Sequence, residues 1–200
     1  MGSAASSGQF PRDGRPEVAF LGRSNVGKSS LLNALAGERG LALVSAEPGR
    51  TRLVNFFRVA GAAGAAGRFE FYLVDLPGYG YAKAARAVRE GWEKLVTSYL
   101  VGRESLRLCV FLVDARHDPT EGDETLRAFL DHHRTPYVLA ATKSDKLGRG
   151  ERARRERELA RGLGRNARSV LAVSAADGTG VEDLWRSIRE AALAAPAARS

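Results

Sequence analysis

Short apolar runs alternate with stretches of helical spacing along most of the chain. Val18-Ala19-Phe20-Leu21, Leu106 to Val113, Tyr137 to Ala141 and Val170 to Val173 are continuous and rich in branched and aromatic residues, the pattern of strands buried on both faces. Between them apolar residues recur at helical intervals: Leu31, Leu32 and Leu35; Val88, Trp92, Leu95, Val96 and Tyr99; Leu126, Phe129 and Leu130; Val181, Leu184, Trp185 and Ile188. Each set predicts a helix with one buried face. Leu53 to Val59 and Phe69 to Val74 read as two more strands, joined by the glycine-alanine stretch Ala60 to Gly67. That connection is too short for a crossover helix, so an antiparallel hairpin is expected. Gly37 stops the first helix, and Thr179 with Glu182 predicts a capping box for the last. The sum is an α/β chain of three layers: a mostly parallel sheet with one antiparallel edge hairpin and helices on both faces. Residues 1–15, small, polar and proline-bearing, read as a flexible lead-in; 16–195 form one domain and 196–200 a short tail.

Composition narrows the class. The chain has 200 residues, 44% hydrophobic and 27% charged, which suits one globular domain with a full core. No apolar stretch approaches the roughly 20 residues of a membrane span, and the start lacks the pattern of a secretory signal. The single cysteine, Cys109, lies in a strand pattern, so no internal disulfide can form and a reducing cytosol is expected. The net charge is +8, which favours an anionic partner. Much of it is local: between Arg149 and Arg168 stand eight arginines against three glutamates. The plain alternative is a solvated helix face with Glu151–Arg155 support.

The candidate chemistry lies just past the carboxyl ends of the strands, where open α/β sheets bind ligands. Gly22-Arg23-Ser24-Asn25-Val26-Gly27-Lys28-Ser29, between a strand and a helix, fits the phosphate-binding loop without a mismatch. The glycines let successive N–H groups turn inward, Lys28 supplies a cation for β- and γ-phosphates, and the Ser29 hydroxyl can ligand Mg²⁺. Asp75-Leu76-Pro77-Gly78 ends another strand; Asp75 is placed to hold Mg²⁺ through water, and Gly78 offers an N–H to the γ-phosphate. Thr142-Lys143-Ser144-Asp145 ends a third. A carboxylate there can accept both N1–H and N2–H₂ of guanine, while the Lys143 stem lies along the base. Ser174-Ala175 can add a backbone N–H to guanine O6. Thr51, in a Pro-Gly-rich loop, is a hydroxyl that can close on Mg²⁺ and the γ-phosphate; Arg50 and Arg52 beside it are phosphate contacts or surface charges.

Taken together, Gly22 to Asn33, Pro48-Gly49-Arg50-Thr51-Arg52, Asp75 to Lys83 and Thr142 to Lys146 resemble the EngB family among the translation-factor-related GTPases, from about Pro16 onward. The resemblance implies a P-loop GTPase fold and a bacterial cytoplasmic GTPase; a monomer when free is expected beside it. It further implies a role in assembly of the large ribosomal subunit, with the subunit precursor and its RNA as partners, and a link to cell division and septum formation. It makes Ser29 and Thr51 Mg²⁺ ligands, and it has GTP or GDP held by Gly22 to Ser29, Gly49, Arg50, Thr51, Arg52 and Leu53, Asp75 to Gly78, Thr142 to Asp145, and Ser174, Ala175 and Ala176. Lys28, Thr51 and Gly78 then carry catalysis. Tyr79 stands where many GTPases place a water-orienting glutamine, so slow intrinsic turnover is expected. Asn25 is a candidate K⁺ ligand, as in related GTPases, and equally a residue that tolerates left-handed backbone. Two other classes stay open: a nucleotide-dependent binding module for a protein at the division site, and a small-molecule kinase.

Overall fold

A computed structural model of the chain describes residues 2–37, 53–62, 68–79 and 86–194. Its strands are β1 (Gly2–Ala4), β2 (Glu17–Gly22), β3 (Val54–Ala62), β4 (Arg68–Asp75), β5 (Leu106–Asp114), β6 (Tyr137–Thr142) and β7 (Val170–Ala172). The helices are α1 (Lys28–Ala36), α2 (Arg86–Leu100), α3 (Glu121–His132), α4 (Arg149–Arg161) and α5 (Val181–Leu193). One sheet runs β1-β3-β4-β2-β5-β6-β7. Its β4-β2-β5-β6-β7 portion is parallel, and β3–β4 is the expected antiparallel hairpin.

Burial on both faces explains the unbroken apolar strands. Val18, Phe20, Leu73, Val110 and Leu112 pack with Leu31, Leu32, Leu184 and Ile188 of α1 and α5. Ala19, Leu21, Val74, Phe111 and Leu139 face the other way, onto Leu95, Val96, Leu126, Leu130 and Leu159 of α2, α3 and α4. The strand register brings the chemistry to one edge: Phe20 pairs with Asp75, Gly22 with Leu112, and Asp114 with Thr142.

Three expectations need correction. Residues 2–15 are not a loose lead-in. Gly2–Ala4 add an antiparallel strand outside β3, so the hairpin is not itself the edge of the sheet. Phe10 is buried against Phe56 and Tyr99, with ring centroids 5.9 and 5.5 Å away. Behind it, buried Glu17 accepts hydrogen bonds from the Tyr99 hydroxyl at 2.8 Å and Arg103 Nε at 2.9 Å, while Arg103 also donates to the Pro11 carbonyl at 2.7 Å. Composition hid this, because the backbone of a small-residue segment can pair as well as any other.

The capping box also lies elsewhere. Gly180, at φ 65°, caps α5, and a Cβ on it would come 2.1 Å from the Ala172 carbonyl oxygen. Thr179 is used up in the preceding turn, its carbonyl accepting from Ser174 N–H. The box forms on α3 instead, where Thr120 and Asp123 cap each other reciprocally. Finally, Arg155 does not pair with Glu151. It reaches from α4 to the Ala115 carbonyl at 3.1 Å and to Asp118 and Glu158 at 2.9 and 3.1 Å.

Truncating Phe10 tests the anchored N-terminal segment. Phe10→Ala should lower unfolding free energy by about 3 kcal/mol, the loss of a buried aromatic ring, measured by denaturant titration. A change below about 0.5 kcal/mol would mean the segment contributes nothing to the core.

Candidate nucleotide-binding site

The loop between β2 and α1 has the shape expected of an anion cradle. Asn25 and Gly27 have φ values of 64° and 104°, so the chain curls through two left-handed residues before α1 begins at Lys28. Asn25 thus fills its role as a residue tolerant of that conformation. Close packing favours glycine at two sites. A Cβ on Gly22 would come 2.9 Å from the Leu112 carbonyl oxygen, and one on Gly78 would come 3.1 Å from Ser24 N. The loop after β4 docks on the β2–α1 loop through its backbone: Ser24 N–H donates to the Tyr79 carbonyl at 2.9 Å, and Tyr79 N–H to the Gly22 carbonyl at 3.3 Å.

Lys28 and Asp75 meet at the centre of this arrangement. Both are buried, 8% and 3% exposed, and they form an ion pair. Ser29, next to Lys28 in the first turn of α1, is half-buried. A cation, a hydroxyl and a carboxylate at a helix N-terminus fit a phosphate chain with a hard cation such as Mg²⁺, which prefers oxygen ligands. Arg23 is exposed, Ser24 half-buried and Val26 buried. Leu76 is fully buried, continuing the strand through a hydrogen bond from its N–H to the Phe20 carbonyl, and Pro77 follows it.

The loop after β6 is braced rather than free. The Thr142 hydroxyl lies 2.6 Å from the Val26 carbonyl and 3.0 Å from that of Val113, so it faces the phosphate loop. Lys143, at φ 57°, donates to the Asn25 carbonyl at 2.8 Å. Ser144 is fully buried, its N–H donating to the Val173 carbonyl. Asp145 accepts from the Ser174 hydroxyl at 2.9 Å and pairs with Lys146 at 3.0 Å. Hydrogen bonds from Lys146 and then Ser174 hold its carboxyl below the usual range, ready to accept from a base. Ser174 also accepts from Ala176 N–H at 3.1 Å, while Ala175 and Ala176 are exposed. Ser174 therefore contributes a hydroxyl that orients Asp145, a role its position alone did not suggest.

Gly49, Arg50, Thr51 and Arg52 fall outside the described residues, as do the tip 63–67 and residues 80–85, whereas Leu53 is described and exposed. Among the described residues no helix is long and apolar enough to cross a membrane.

Comparison with known proteins agrees with this geometry. The family model for 50S ribosome-binding GTPases matches residues 17–143. A probable GTP-binding protein EngB of Symbiobacterium thermophilum is 44% identical over 94% of this chain and 92% of its own length. That of Anaeromyxobacter dehalogenans is 48% identical over 96% of this chain and 88% of its own. The chain belongs to the EngB family of GTP-binding proteins. Its fold superposes on a crystal structure of a probable engB GTP-binding protein with a TM-score of 0.63 at 21% identity, covering 88% of this chain and 98% of that one. Era, solved with MgGDPNP and nucleotides 1506–1542 of 16S ribosomal RNA, gives 0.69 at 24% identity over 88% of this chain and 56% of its own. At those identities the likeness is one of fold. An EngB protein is a GTPase, so GTP is substrate and GDP product here.

Tyr79, the residue after Gly78, is turned into the fold toward α3. Its ring is 8% exposed, its hydroxyl donates to Asp123 of α3, and it packs on Gly122, where a Cβ would approach the ring to 3.1 Å. Burial, then the Asp123 charge, push the phenol far above its ordinary pKa, so it stays a neutral donor. The sequence carried no sign of this partner beyond the Thr120–Asp123 spacing.

Two variants follow. Removing only the hydroxyl, Tyr79→Phe should leave basal GTP turnover within about twofold while lowering stability by about 1–2 kcal/mol; a large fall in turnover would give the phenol a direct catalytic role. Asp145→Asn should trade GTP for xanthosine triphosphate, because the amide can donate to the oxygen that replaces N2–H₂. Retention of the GTP preference in competition binding would remove Asp145 from base recognition.

Proposed function

We propose that this GTPase is a switch protein that assists assembly of the large ribosomal subunit in the cytoplasm, binding the subunit precursor and its RNA as a monomer. Normal cell division and septum formation depend on that assembly in this reading. Lys28 and the loop from Gly22 hold the phosphates, with Ser29, Thr51 and Asp75 around Mg²⁺, and Thr142 to Asp145 with Ser174 to Ala176 hold guanine. Gly78 and the loop Gly49 to Leu53 sense the γ-phosphate. The backbone accounts for the asparagine at position 25 without invoking K⁺.

The observation that carries the partner is the outer face of α4 and the turn after it. Arg149, Arg154, Arg157, Arg161, Arg165 and Arg168 are all exposed on it. Arg154 has one long contact to Glu158, at 3.7 Å. Arg155 is different: its side chain is 13% exposed and is committed to the 115–118 loop. The family description supplies the ribosome, and an exposed arginine face supplies chemistry suited to RNA phosphates.

Gradient sedimentation of large-subunit precursors with GDP or a non-hydrolysable GTP analogue tests this. The GTP form should co-sediment, with a log–log salt slope near −0.7 to −0.9 per phosphate contacted. Reversing Arg154, Arg157, Arg161 and Arg165 to Glu should flatten that slope and leave GDP affinity unchanged; Arg155 is kept because it braces the loop. An unchanged slope would make these arginines a solvated face. Binding to a division-site protein without co-sedimentation would replace the ribosomal reading.

A further inference from the structure

Asp114 ends β5 as Asp75 ends β4, yet phosphate and Mg²⁺ binding leave it no part. Its carboxylate is 16% exposed and fully engaged. Arg116 grips it through Nε at 2.9 Å, a terminal nitrogen at 2.8 Å and its backbone N–H at 3.1 Å. The Oδ2 that takes the terminal nitrogen of Arg116 also meets Lys143 Nζ, at 2.9 Å. Burial alone would raise its pKa, but the hydrogen bonds from Arg116 and Lys143 outweigh that and keep it ionised far below neutrality.

Lys143 is not where a free lysine would settle. Its backbone is left-handed, which a residue with a Cβ holds only when its surroundings fix it. Its stem runs over the phosphate loop, with Cε 3.9 Å from where a Gly27 Cβ would lie. Its ammonium ends between the Asn25 carbonyl and Asp114. The loop that carries Asp114 does not need this pair for its shape, because Arg155 holds the Ala115 carbonyl and Asp118 from the other side.

We propose that Asp114 is a positioning residue for guanine recognition, fixing the Lys143 side chain across the phosphate loop so that its stem forms a set wall of the base subsite. The inference rests on reading Thr142 to Asp145 as the base-recognition loop. Arg116 holds Asp114 in turn, so the order of action is Arg116, Asp114, Lys143, base.

A double-mutant cycle read by GDP dissociation tests it. Asp114→Asn and Lys143→Met should each speed GDP release about fivefold, the upper range for a pair that solvent can reach. The double variant should release GDP no faster than the faster single one, because both remove the same tether. Melting of the nucleotide-free proteins checks for a merely structural effect. If Asp114→Asn melted more than about 4 °C below the parent, or if the two effects multiplied, the positioning role would be overturned. Faster release in Lys143→Met but not in Asp114→Asn would overturn the tether alone. No change in Lys143→Met would also overturn the tether, whereas the base-recognition reading stands or falls separately with the Asp145→Asn competition.

Discussion

The site is organised by the buried ion pair between Lys28 and Asp75. Neither charge can stay at this depth alone, since an unpaired buried ion costs several kcal/mol. They come from different elements, one starting α1 and one ending β4, so the pair also joins the ends of these two elements. Electroneutrality then links the ligands to each other. Phosphate that draws Lys28 away leaves Asp75 in need of a cation, and a cation at Asp75 leaves Lys28 in need of an anion. A triphosphate with its divalent ion meets both demands at once, whereas either alone leaves a buried charge unpaired.

Around that pair the two ends of the site are built differently. At the base end, side chains brace side chains: Thr142 on the Val26 carbonyl, Lys143 on Asn25 and Asp114, Ser174 on Asp145. At the phosphate end the loop after β4 is held to the β2–α1 loop by two backbone hydrogen bonds, and Gly78 brings no side chain to the contact. Bracing of the first kind favours a fixed base geometry, on which selection between purines depends. Contacts of the second kind set backbone against backbone and depend on no side-chain rotamer.

What was legible in the sequence follows from how local each signal is. The phosphate loop is fixed by glycines and a lysine within eight positions, and strands buried on two faces advertise themselves by composition, so both could be read directly. The N-terminal strand could not, because Gly2–Ala4 pair through backbone groups and the segment buries one small residue, Ala4, and one large one, Phe10. Arg155 was misassigned for a related reason: it sits in a helix of arginines, and only the fold reveals that one of them points at the 115–118 loop. The Thr179–Glu182 spacing was a fair signal defeated by Gly180, whose left-handed backbone delays the helix by one residue. Asp114 shared the strand-end position of Asp75, but nothing local connects it to Lys143 across the sheet.

Tyr79 joins these levels. Its backbone is tied to Gly22 and Ser24, its ring to Gly122, and its hydroxyl to the aspartate that caps α3. A glutamine there could swing an amide toward water, but a buried ring with a satisfied hydroxyl cannot do so without leaving a hole and an unpaired carboxylate behind. The same contacts fix the backbone just after Gly78 against the loop that precedes α1.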